Sequence, residues 1–390
     1  MKLNFQDLTL QDFLENYWQK RPVLLKNGFL DFDCPISGDE LAGLSMEEDA
    51  CSRLITCGDK YTLKHGPFTE SDFEEVSEST YCLLVQETET FIPEIAKLKH
   101  QFRFIPDWRM DDVMVSYATD GGTVGAHVDF FDVFLIQGDG KRKWEIGKQL
   151  SSEPEYEPDM PVRLMKNFEI DQTFILEKGD ILYLPPNVPH NGVAIGESIT
   201  ISMGFRTASH AEIAKDFSEY LGKALAESRR LDEPLGGYDA KFPGLISKEV
   251  ICEVRKVIDS FPKDDESISH WFGKLVTKPI RGEQTSELTD VLSSSEFEDF
   301  EPIVNQAFSE TQFLLWNESV RLSYFVLDKS IKIFVDGEVF EMDKDMLKDL
   351  ENLVLNKGIS KDDYDNSSSD SFKFLAGALI DLNILYSEGS

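Results

Sequence analysis

The apolar positions change their spacing twice along the chain. Near the start, "LTLQDFLENYWQKRP" places Leu10, Phe13, Leu14, Tyr17 and Trp18 on one stripe. Thr9 stands as the cap, Asp12 at the third helical position and Pro22 at the end, which predicts an amphipathic helix. "RPVLLKNGF" then reads as a strand running into a loop. From about Asp111 to Phe205 the spacing shortens to strands: "VMVSYA" (113–118), "GAHVDFFDVFLIQGDGKRKW" (125–144), "TFILEKGDILYLP" (173–185) and "SITISMGF" (198–205). Short β-branched and aromatic runs divided by Gly, Pro and Asp turns predict an antiparallel barrel or sandwich.

After Arg206 the spacing becomes helical. Ser209 and Glu212 make a capping box, followed by Ile213, Phe217, Tyr220, Leu221 and Ala224, and a second helix is predicted over about 247–260. These helices are expected to pack outside the barrel, as on a second copy of the chain. The stretch 281–301 is polar and acidic and reads as a linker. Beyond it "RLSYFVLD" and "IKIFVDGEVFEMD" predict strands, with Asp336-Gly337 as a hairpin turn, and helical runs follow at about 344–356 and 370–385. This small α+β unit is compatible with a winged helix. No internal repeat is visible.

Charge narrows the partners. With 39 Lys+Arg against 72 Asp+Glu, the net charge of −33 repels phosphate and argues against direct nucleic-acid binding. It favours a basic partner. Residues 281–390 hold 9 Lys+Arg and 23 Asp+Glu, so the unit there is expected to contact protein, not DNA. The five cysteines (Cys34, Cys51, Cys57, Cys82, Cys252) are scattered without a C-x-x-C pair, which suits reduced thiols in a cytosol. No signal peptide and no membrane span are expected. "FLAGALIDLNILY" is too short and contains Asp381 and Asn383.

Candidate chemistry starts from His127 and Asp129. Two residues apart on a strand, they point to one face. A second histidine from elsewhere would complete a two-His, one-carboxylate set, which leaves coordination positions open and suits Fe(II). A metal would also explain an Asp in an apolar strand. The pattern alone is weak, since about one His-x-acid is expected by chance in this composition. A second one occurs, His210-Ala211-Glu212, but it opens a helix where residues two apart diverge. For the third ligand, His65, His100 and His270 lack a fixed setting. His190 follows a turn, a strand and two prolines in "KGDILYLPPNVPH", a rigid frame of the kind a ligand needs. A two-residue hairpin at Asp139-Gly140 would pair Gln137 with Arg142, turning Arg142 and Trp144 to the face of Leu135 and Val133, where a buried arginine requires an anion. A straight strand from Asp129 to Gln137 spans about 27 Å, so sharing one pocket requires a turn between Phe130 and Val133.

The H-x-D at 127–129, a basic residue fifteen positions after the first ligand and "KGDILYLPPNVPH" together resemble the JmjC and cupin-type oxygenases dependent on iron and 2-oxoglutarate. "DFLENYWQKRPVLLKNGF", "IPDWRMDDVMVSY", "HVDFFDVFLIQGDGKRKW" and "SMGFR" resemble more closely the bacterial ribosomal oxygenases, and the likeness spans the chain. The resemblance implies a mixed α+β protein: a double-stranded β-helix (jelly roll) over 1–207, a helical dimerisation region over 208–280 and a winged-helix-like domain over 281–390. It implies Fe(II) on His127, Asp129 and His190, and 2-oxoglutarate on Arg142 with a hydroxyl from Ser116. O2 would be the oxidant. The implied activity is a protein arginine hydroxylase acting in the cytoplasm as a homodimer on large-subunit ribosomal protein L-sixteen. Phe130-Phe131 departs from relatives that often carry a polar residue after the metal Asp. Asp111 and Asp112 are expected at a solvated strand edge, with contact to a cationic substrate as the alternative. Competing readings are an N-methyl-lysine demethylase of the same fold, a non-catalytic cupin-like protein-binding scaffold and, more weakly, a sugar isomerase or thiol dioxygenase cupin.

Overall fold

The computed structural model describes residues 2–58, 60–224, 230–231, 245–279, 287–294 and 297–387, in two units, Met1–Thr207 and Ala208–Ser390. In the first unit ten strands form one sheet: β1 (Val23–Leu25), β2 (Ser52–Cys57), β3 (Thr62–His65), β4 (Thr80–Val85), β5 (Met110–Ala118), β6 (His127–Val128), β7 (Asp132–Ile146), β8 (Gln172–Glu177), β9 (Ile181–Leu184) and β10 (Pro189–Phe205). Their order is β1-β9-β7-β10-β5-β4-β2-β3, with β6 beside β10 and β8 beside β7. Pleating sends alternate residues to opposite faces. Leu83, Val113, Val115, Phe134, Tyr183, Ile201 and Met203 enter one core. Cys82, Leu84, Ser116, Leu135, Arg142 and Trp144 line a chamber on the other side.

The Leu10–Asn16 helix closes the core side. Thr9 and Asp12 form the capping box: the Asp12 amide donates to Thr9 Oγ1 at 3.0 Å and the Thr9 amide to Asp12 Oδ2 at 3.0 Å. Phe13 is fully buried, 5.0 Å from the Tyr183 ring and 5.7 Å from Phe134. Burying a side chain of this size contributes roughly 2–3 kcal/mol. The helix stops at Asn16, short of Pro22, because Gln19 turns the chain with a left-handed φ of 58° and Trp18 stacks on Tyr183 at 5.6 Å.

The expected hairpin at Asp139-Gly140 is absent. β7 runs unbroken and pairs with β10 from Asp132 opposite Phe205 to Ile146 opposite His190. The left-handed φ of 63° at Gly140 serves a bulge instead of a turn. Thr200 and Ile199 face Gln137 and Asp139, leaving Gly138 extra on β7, while Gly196 and Glu197 are extra on β10. One extra residue shifts the alternation by one, so Val133 and Leu135 before it and Arg142 and Trp144 after it share the chamber face. Asp-Gly in the sequence signals positive φ, which a hairpin and a bulge both use. The ladder also breaks at 129–131, between β6 and β7, where a change of direction was expected.

The second unit contains two three-stranded sheets. One has the order β12 (Leu322–Val326), β13 (Ser330–Val335), β14 (Glu338–Asp343), with Asp336 and Gly337 turning between the last two at φ 46° and 81°. The other sets β11 (Phe313–Trp316) between β15 (Gly358–Ser360) and β16 (Leu385–Tyr386). The Asp265–Val276 helix lies on β12, β13 and β14, and Gly273 allows it so close that a Cβ there would strike the Phe334 ring. A helix of the expected 208–280 region thus packs on strands of the expected 281–390 region. The expected linker is largely helical: Glu287–Ser294 and Phe297–Glu310 are helices that bury Leu288, Phe300, Val304 and Phe308. Few apolar positions among many acidic ones hid them; residues 280–286 and 295–296 lie outside the described part. No helix among the described residues is long and apolar enough to cross a membrane.

Gly140→Val is expected to destabilise the first unit by more than about 1 kcal/mol, because its Cβ would collide with the Glu197 carbonyl oxygen. Urea unfolding measures this; an unchanged midpoint would mean the bulge is not constrained.

Candidate metal centre

His127 and His190 meet because β6 pairs with the start of β10, His127 directly opposite His190. Their ring centroids lie 4.3 Å apart. Asp129, one residue past β6, brings Oδ2 to 3.6 Å from His190 Nε2. That is too long for a direct hydrogen bond. One ligand atom from each of the three residues lies within 4.8 Å of the others. His127 Nδ1 lies 2.9 Å from the Gly125 carbonyl oxygen, and His190 Nδ1 lies 2.9 Å from that of Val188. A carbonyl accepts, so both Nδ1 atoms carry the proton and both Nε2 lone pairs are left to a ligand. Burial, reinforced by His127 nearby, pushes His190 down to about 4 and keeps it neutral, as a metal ligand must be. Between Pro186 and His190, Asn187, at φ 65°, donates its amide to the Asp129 carbonyl at 2.8 Å. Two imidazoles and a carboxylate on one side of an open chamber fit Fe(II).

The structure brings all five expected site residues to one chamber of about 500 Å³. Arg142 is 5% exposed, and its Nη1 donates to Ser116 Oγ at 3.2 Å. Its Nε and Nη2, adjacent donors of the guanidinium fork, are buried without a partner, and it makes no ion pair among the described residues. Burial lowers its pKa, which is the mark of a cation short of an anion. Ser116 reaches this point because it pairs with Thr200 on β10 and Leu84 on β4. Asp111 and Asp112, both half-buried, also line the chamber with Phe131 and Met114, and Gln86 Nε2 donates to Asp112 Oδ2 at 3.0 Å. Phe130 is half exposed. The alternative His-x-acid pair stays in its helix, where the Ser209 amide donates to Glu212 Oε2 at 2.7 Å.

A second buried charge escaped the sequence reading. Asp132 is fully buried and takes Arg109 Nη2 at 3.0 Å, Gln19 Nε2 at 3.2 Å and, on Oδ1, the Tyr183 hydroxyl at 2.6 Å. Arg109 also donates to the carbonyls of Phe205 and Arg206 at 3.2 and 3.1 Å. Burial pushes the Asp132 carboxyl up, and these donors oppose the shift. The network clamps the start of β7 three residues past Asp129. The available signal was a second acid in the same apolar run, but its partners come from three distant segments.

Comparisons with known proteins point to one family. The family model of the JmjC domain matches residues 97–213. The ribosomal protein uL16 3-hydroxylase of Escherichia coli is 36% identical over 307 residues, covering 74% of this chain and 79% of that protein. A probable ribosomal oxygenase of Haemophilus influenzae is 29% identical over 341 residues, covering 85% and 82%. The crystal structure of the E. coli ribosomal oxygenase YcfD with cobalt and 2-oxoglutarate superposes with a TM-score of 0.80 at 30% identity, over 100% of this chain and 99% of that one. A JmjC-type β-sandwich in which two histidines and an aspartate converge is that of an Fe(II)- and 2-oxoglutarate-dependent oxygenase. The chain belongs to the JmjC family of ribosomal oxygenases.

Asp132→Asn is expected to cost about 3–5 kcal/mol of unfolding free energy, because it leaves the buried Arg109 uncompensated. Tyr183→Phe removes the hydroxyl's two hydrogen bonds, its donation to Asp132 and its acceptance from the Gln19 amide, but no charge, and is expected to cost less, about 2 kcal/mol. Equal effects in denaturant titrations would contradict an ionised Asp132.

Proposed function

We propose that this protein hydroxylates a side-chain carbon of an arginine in ribosomal protein uL16, converting 2-oxoglutarate and O2 to succinate and CO2. The observation that carries the reading is the pair of open donors on buried Arg142, in the same chamber as the His127, Asp129 and His190 cluster. His127, Asp129 and His190 would hold Fe(II), which when bound supplies the O2 chemistry. Arg142 Nε and Nη2 would grip the far carboxylate of 2-oxoglutarate side by side, and Ser116, already hydrogen-bonded to Nη1, orients the guanidinium. The neutral His190 keeps its lone pair available, and the two Nδ1–H bonds to carbonyls hold both rings in one orientation. Asp111 and Asp112 present carboxylates to an incoming cationic side chain, while Phe131 and Met114 cover its aliphatic part. The net charge of −33 would draw a basic ribosomal protein from a distance, so capture slows as salt rises. Such a target places the reaction in the cytoplasm. A demethylase would remove a methyl group where a hydroxylase adds one oxygen, and product mass separates them.

We also propose a homodimer through 208–280, with 281–390 as a winged-helix-like protein-contact domain. The Lys248–Asp259 helix supports the first part: no residue of it is buried, and Ile251, Val254 and Ile258 leave one apolar face exposed.

Incubating the iron-loaded protein with uL16, 2-oxoglutarate and O2 is expected to add one oxygen to an arginine. An unmodified uL16 with succinate released under another peptide would remove the substrate assignment alone. Asp129→Ala is expected to abolish Mn²⁺ binding and turnover, whereas Arg142→Met keeps Mn²⁺ binding and weakens 2-oxoglutarate about 100-fold, about 2.7 kcal/mol. The double change Ile251→Asp with Ile258→Asp is expected to halve the mass measured by light scattering; a wild-type monomer would refute the dimer.

A further inference from the structure

The chamber wall carries one thiol, Cys82, and a second, Cys57, packs on the same cluster; the oxygenase reading uses neither. Ile55 pairs with Cys82 and Cys57 with Thr80 across β2 and β4, so Cys57 and Cys82 are diagonal neighbours on one face. They pack in one cluster with Leu84, Ala118 and Ala194. Cys57 is half exposed and Cys82 is buried in the lining of the chamber, close enough to Arg142 to feel its charge. Thr123 flanks Cys57, accepting from its thiol at 2.8 Å through the carbonyl and donating its amide to the sulfur at 3.3 Å. An amide donor favours a thiolate. Consistently, Cys57 is lowered to about 7, chiefly by the Cys82 thiol, while Cys82 is raised. Cys34 and Cys51 bond instead to the Ile36 carbonyl and the Gln86 side chain, and Cys252 is exposed on its helix.

We propose that Cys57 and Cys82 form a peroxide-responsive thiol pair whose oxidation to a disulfide reshapes the chamber beside Arg142. The Cys57 thiolate attacks a peroxide; an S–O bond forms, the O–O bond breaks, and the departing oxygen leaves as water or an alcohol after taking a proton. The Cys82 sulfur then attacks Cys57; the S–S bond forms, the S–O bond breaks, and water leaves with the Cys82 proton. Two thiols are oxidised and one peroxide is reduced. Diagonal neighbours on paired strands lie about 7–8 Å apart at Cα, whereas a disulfide spans about 4.4–6.8 Å. Closing the bond therefore pulls β2 along β4. β2 can move because its outer neighbour is only β3, the edge strand, which is largely exposed. A bond closed under strain is easily reduced, which makes the change reversible.

The test treats the Mn²⁺-loaded full chain with hydrogen peroxide, maps the digest by mass spectrometry and titrates 2-oxoglutarate calorimetrically before and after. The expected result is a 57–82 cross-link, 2-oxoglutarate affinity at least fivefold weaker, and recovery of both with dithiothreitol. In Cys82→Ser, Cys57 is expected to stop as a dimedone-trapped sulfenic acid; the wild-type mapping does not depend on that variant folding. Peroxide that oxidises other cysteines first, or leaves Cys57 and Cys82 unlinked, overturns the pair. A cross-link without a change in affinity overturns the reshaping. That arm rests on the cosubstrate reading of Arg142; reduced protein that fails to bind 2-oxoglutarate overturns that reading instead, and the cross-link alone then decides the thiol pair.

Discussion

The register of β10 is the constraint on which the site depends. This one strand pairs with β5, β6 and β7, setting His190 opposite His127, Thr200 opposite Ser116 and Ala194 opposite Arg142. A slip of one residue would turn each of these side chains to the other face. The extra residues at Gly138 and at Gly196 and Glu197 do what a regular ladder cannot. They shift the alternation midway, so that apolar residues from one half of β7 and a cation from the other half line the same chamber.

Two buried arginines in this unit are treated in opposite ways. Arg109 has a carboxylate and two backbone carbonyls around it. Arg142 has one serine hydroxyl and two donors left over. A buried charge without a counterion costs several kcal/mol. The fold neutralises the first with its own Asp132 and leaves the second to be neutralised from outside. That asymmetry supports a carboxylate ligand on Arg142.

Charge and shape divide the labour between the units. Acidity is spread along the chain, and the 281–390 stretch alone holds 23 Asp+Glu against 9 Lys+Arg. Such a field draws basic partners without selecting among them. The chamber lining also carries acids, Asp111 and Asp112, beside apolar Phe131 and Met114. On the proposed function, the surface field and the chamber would favour the same sign of substrate over different distances.

Local pattern was enough to read the strand-rich middle, the capped first helix, the Asp336-Gly337 hairpin and the H-x-D pair, because alternation, capping and turn conformation are set by neighbours a few residues apart. It also singled out His190 through its prolines. It misread Asp139-Gly140, since positive φ at a glycine serves a turn or a bulge alike and only the partner strand decides. It missed the helices at 287–294 and 297–310, where a handful of apolar residues becomes a core only when β11 to β16 are present to cover them. The Asp132 clamp and the contact of Cys57 with Cys82 were beyond its reach for the same reason: each joins segments whose proximity is a property of sheet order, and sheet order is settled by the cooperative packing of the whole unit.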